Sequence, residues 1–176
     1  MHVAGERLIA GDTSGVLQAC VPEILSMSNV ARGYLLEVAK AAEDAEFGRL
    51  KRAVLAANPH LIPLQMAFIF AAGALTKAGR GKFDQRDHTD DAVSVALGVD
   101  VSMRGERGTL LYHSRVAQSE AIQAMKLLAY FEKRHDERGT SATAWEAFEA
   151  ALFLVADELD SIVFSFRVLT TLLGLL

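Results

Sequence analysis

Side chains able to do chemistry are densest in the stretch GRGKFDQRDHTDD at 79–91, where Asp84, Asp87, His88, Asp90 and Asp91 crowd together. Carboxylates and an imidazole at short spacing are the groups that hold a divalent cation or move a proton. A calcium loop also needs oxygen ligands at alternate positions, a glycine at the sixth and a distant Glu, and this spacing does not supply them. Lys82 and Arg86 stand among the acids and neutralise them without any metal. With Gly79 and Gly81 to turn the backbone, the segment reads as a charged, solvated loop. Asp87, His88 and Asp91 are the residues from which an ion or substrate contact would be built there.

Other arrangements are less complete. Glu132 and His135, in EKRH, sit three apart and share one helical face, but a di-iron bundle needs two such pairs and two more Glu. His2, His60, His88 and His113 have no Glu three residues before them. GRGK at 79–82 lacks the leading Gly and following Ser or Thr of a phosphate loop, and no G-x-S-x-G elbow occurs. RGTLLYH, Arg107 to His113, resembles the Arg-to-His motif of the helical HEPN ribonucleases over these seven residues. Gly108 stands where that motif carries a polar residue. The resemblance implies that Arg107 would hold a phosphodiester and His113 assist proton transfer, a ribonuclease-like activity. No cofactor is expected.

The elements that must position these groups follow from composition. The 176 residues suffice for one well-buried core, so 1–176 is expected to be a single domain. A hydrophobic fraction of 51% with few aromatics and three prolines favours helix, and the expected class is mainly α. A net charge of −4 gives no reason to expect a nucleic-acid partner. Glu146, Glu149, Asp157, Glu158 and Asp160, set against Arg167 alone, read as a solvated acidic face. Cys20 is the single cysteine and the start shows no secretory pattern, so a cytoplasmic location is expected.

Residues 1–15 read as an irregular arm. A helix is expected from about 22 to 57, bent or broken near Ser28 and Gly48 and ended by NPH at 58–60. The 61–77 stretch is apolar around most of its circumference, which places it at the centre of a bundle, with Gly73 letting a neighbour approach. Residues 93–103 alternate apolar and small or polar, a strand signal, and RGERG at 104–108 could fold 109–113 back as a short β-hairpin; Thr89, Asp90 and Asp91 equally suit a helix start. From there to Gly139 the pattern is helical. The total is a bundle of about five to six helices.

The last helix carries the strongest pattern. Thr143 and Glu146 have capping-box spacing. Trp145, Phe148, Leu152, Val155, Leu159, Ile162, Phe166 and Leu169 then recur in steps of three and four, through Leu173 to Leu176. Unbroken, this helix would run ~48 Å at 1.5 Å per residue. The expected function is therefore a non-enzymatic helical protein–protein interaction module, binding a partner or itself as a homodimer through that face. The alternatives are a small enzyme or ion-binding domain using the 84–91 loop or Arg107 with His113, and a membrane-associating protein using the apolar tail.

Overall fold

The computed structural model describes residues 13–83 and 90–174, the side chains of 13, 14, 16 and 90–109 excepted. Among the described residues there are four helices and no strand: α1 (Thr13–Glu43), α2 (Phe47–Lys77), α3 (Asp90–Glu137) and α4 (Ala142–Gly174). α1 packs on α2 and α3, and α4 packs on the same two helices; no backbone contact joins α1 to α4 or α2 to α3. The arrangement is two helical hairpins laid face to face. Gln65 of α2 meets Asp160 of α4, and Arg80, just past the end of α2, meets Glu149 near the start of α4, so these helices run in opposite senses.

Local chemistry accounts for the boundaries. The α1–α2 turn is closed by Asp44 N–H donating to Lys40 O at 3.1 Å and Ala45 N–H to Ala42 O at 3.2 Å. α2 stops in a Schellman motif: Gly79 takes φ 73°, its N–H donates to Thr76 O, and Arg80 N–H reaches back to Leu75 O at 2.9 Å. α4 starts at Ser141, whose Oγ accepts from Ala144 N–H at 3.0 Å. The cap is thus Ser141, and Thr143 lies inside the helix rather than at a capping box.

Other expectations are revised or decided. There are four helices among the described residues, not five or six. The 22–57 segment breaks close to Gly48 as expected, with a turn at 44–46, but α1 runs through Ser28 without a break and α2 does not end at 58–60, passing through Pro59 and Pro63. Each proline removes one helical hydrogen bond, but Pro59 and Pro63 lie at exposed positions where water can serve the orphaned carbonyls. Burial of Leu61, Leu64 and Phe68 on the opposite side then holds the helix together. The backbone of 93–113 is helical throughout, which decides for the helix between the two readings left open there. Finally, 13–15 belong to α1 rather than to the arm, and 90–91 to α3 rather than to the loop; 1–12 and 84–89 lie outside the described residues.

The core is organised by α4. Phe148, Leu152, Val155, Leu159, Ile162, Phe166 and Leu169 are all buried, and Trp145 is partly buried against them. Aromatic contacts tie three helices to one another. Phe68 of α2 meets Phe131 of α3 edge-on at 5.0 Å, Phe131 meets Phe148 of α4 at 5.4 Å, and Phe148 meets Trp145 at 5.6 Å. Glu149 and Asp160, expected on a solvated acidic face, are only 4% and 2% exposed. Arg80 clamps Glu149 through Nε, at 2.7 and 2.9 Å to its two oxygens. Gln65 Nε2 donates to Asp160 Oδ1 at 3.3 Å.

Phe131→Ala removes the middle of the aromatic series and should cost about 3–5 kcal/mol in urea unfolding. Ala45, by contrast, holds φ 54°, a left-handed conformation costly for a residue with a Cβ. Ala45→Gly should therefore stabilise the fold by up to about 1 kcal/mol, read as a higher midpoint in the same titration.

Candidate functional site

The eight residues of the expected C-terminal face do not form a free surface. α2 and α3 of the same chain flank α4, and of the eight only Trp145 keeps appreciable exposure. Asp87 and His88 lie outside the described residues, as do the side chains of Asp91 and Arg107. Positions 107 and 113 both fall in α3, and residues six apart on a helix do not face one another. His113 is half-buried, its ring edge-on to Tyr112 at 5.0 Å. Among the described residues no group of three or more His, Cys, Asp or Glu side chains could hold a metal. Cys20 is buried, and burial raises its thiol pKa, which leaves it a poor nucleophile.

Two features remain. The first is the outer face of α2. Between Ala53 and Thr76 the sequence has no Asp, Glu, Lys or Arg. Leu50, Val54, Leu61, Leu64, Phe68 and Leu75 point into the core. On the other side, Leu55, Ile62 and Met66 are 48%, 47% and 45% exposed, in line with exposed Pro59 and Gly73 and half-buried Ile69. Steps of four, three, four, three and four make this an unbroken apolar stripe ~27 Å long at 1.5 Å per residue. Among the described residues, nothing beyond the helix's own backbone and Gly73's chain neighbours stands within 4 Å of where a Cβ on Gly73 would lie. The 61–77 segment is therefore not a central helix with all sides covered; it is a core helix on one side and an uncovered apolar surface on the other. The uncharged run was visible in the sequence, but which sector would be left bare was not.

The second is a cleft of about 540 Å³ at the other corner of the bundle, between the first half of α1 and the α3–α4 turn. Leu17, Val21, Leu25, Trp145 and Phe148 form its apolar walls, with Gln18, Pro22, His135 and Arg138 completing the lining. The His135 ring stands edge-on to Phe148 at 5.7 Å. Its Nδ1 is buried without a hydrogen-bond partner, Asp136 Oδ1 lying 3.6 Å away and out of reach. Burial, and then the positive charge of Arg138, push the His135 pKa below its ordinary value of 6.5, and Asp136 and Glu132 only partly offset them. His135, which has no second Glu-x-x-His pair to complete a metal site, stands in the wall of the cleft.

Comparison with known protein families, with curated proteins and with solved structures finds no match to this chain, so the functional argument rests on its own side chains.

His135 should titrate below 6.5 when its ring protons are followed by NMR. Because the folded pKa lies under the unfolded one, the unfolded chain takes the proton first as pH falls. This contribution to stability is complete above the unfolded value and declines as pH drops from there toward the folded value. Urea unfolding at neutral and mildly acidic pH should show a smaller loss for His135→Gln than for the parent chain.

Proposed function

We propose that the protein is a non-enzymatic helical interaction module that self-associates through the outer face of α2. The single observation that carries this reading is the uncharged run Ala53–Thr76 with its exposed stripe Leu55, Ile62 and Met66. A contiguous apolar strip of this length on a protein surface is the mark of a contact face. The C-terminal seam is a weaker candidate, because neighbours in the same chain already cover it.

A two-fold axis across the stripe would set α2 antiparallel to α2 of a second copy, giving each subunit the same patch. The helix dipoles then oppose one another favourably. Glu43, Asp44 and Glu46, beside the start of one α2, come near Lys77 at the end of the other. Gly73 gives the backbones room to approach.

A second reading is membrane association. α2 is long and apolar enough to cross a bilayer and less than half of its most apolar window is buried. It places the lipid contact on α2 and not on the tail, where Arg167 interrupts the apolar sequence.

Light scattering coupled to size exclusion should find a dimer for the parent chain and a monomer for the double variant Ile62→Glu, Met66→Glu. Both side chains are nearly half exposed, so helicity and unfolding midpoint should stay close to the parent. A parent chain that is monomeric at the highest attainable concentration overturns the dimer, and flotation of that monomer with lipid vesicles would favour the membrane reading.

A further inference from the structure

We propose that the cleft between α1 and the α3–α4 turn is a binding site for a small amphipathic carboxylate with an acyl or aromatic body. The cleft is separate from the α2 face, and its volume of about 540 Å³ falls within the range that holds small ligands. Its walls are two aromatic rings on α4 and the aliphatic side chains of α1, which suits an apolar body.

The polar groups select the head. Arg138 is the one ionised side chain in the lining. One Nη1 donor is tied to His135 O at 2.6 Å, which anchors the guanidinium at the rim, while the planar fork has further donors for a ligand. A carboxylate matches that fork with two parallel hydrogen bonds. His135 stands next to it in the lining; its buried Nδ1 has Asp136 Oδ1 at 3.6 Å and makes no hydrogen bond among the described residues. A single guanidinium balances one negative charge, and Asp136 beside His135 disfavours a dianion such as a phosphate monoester. Pro22 adds an acceptor: it has no N–H to give to the carbonyl of Gln18, and both residues line the cleft. A ligand hydroxyl or amide N–H would pair with that carbonyl.

Trp145 is the chain's single tryptophan and forms part of the wall, so its emission reports occupancy directly. Octanoate is the probe, with octan-1-ol as its uncharged counterpart. Octanoate should shift the Trp145 emission saturably and bind at least roughly tenfold more tightly than octan-1-ol, as expected for loss of a charge-assisted hydrogen bond. Arg138→Gln should bring octanoate to the level of the alcohol. Because Arg138 also ties down the α3–α4 turn, Leu25→Phe provides a second variant, which narrows the cleft without touching the head group and should weaken both probes. The absence of a saturable shift in the folded parent chain overturns the site. Equal binding of octanoate and octan-1-ol by the parent, or undiminished octanoate binding by folded Arg138→Gln, overturns the carboxylate assignment.

Discussion

The structure is governed by the need to hide one long apolar seam. α4 presents Phe148, Leu152, Val155, Leu159, Ile162, Phe166 and Leu169 along a single side for most of its length, and leaving such a strip in water is costly in proportion to its area. α2 and α3 flank it from either side. The aromatic series from Phe68 through Phe131 and Phe148 to Trp145 runs across all three helices, so their relative positions are set by ring geometry as well as by burial. α1 then covers what α2 and α3 still expose on the far side. α4 and α1 together take up the inner side of α2, and among the described residues no helix meets its outer face.

Buried polar groups restrict how this packing can slide. Glu149 and Asp160 sit on α4 at nearly zero exposure, each held by a side chain from α2 or the turn that follows it. A carboxylate without its partner at such depth is penalised heavily, so moving α2 along α4 by even one turn would cost both contacts. Apolar ridges alone tolerate several registers; these two pairs favour one. Arg80 has a further role, since it draws the chain after α2 onto α4, where Gly81 lies so close to the Phe153 ring that an added Cβ would collide with it.

The two candidate surfaces follow from that arrangement and differ in kind. The outer face of α2 is long, convex and free of charge, and suits another helix or a lipid surface rather than a reaction. The cleft is concave and combines apolar walls with one cation, one imidazole whose pKa burial lowers and one helix carbonyl that Pro22 cannot serve. Such a set recognises a ligand and orients it. The lining holds no Ser, Thr or Cys, and among the described residues no group of three or more His, Cys, Asp or Glu could hold a metal.

Much of the architecture could be read from residue periodicity. The helical class and the inward side of the last helix's seam follow from steps of three and four beginning at Trp145, since those steps trace one side of an α-helix whatever surrounds it. Local rules were less secure where tertiary contacts compete with them. NPH at 58–60 looked like a stop, yet Pro59 lies at an exposed position while Leu61 and Leu64 are held inside. The alternation in 93–103 fits a strand or a two-sided helix equally well, and only the backbone distinguishes them. The sequence by itself determined which side chains must leave water. The tertiary structure decided which neighbour covers them, showing the α4 seam closed within the chain and the outer side of α2 open, because periodicity records one helix's own faces and says nothing about the helices placed against it.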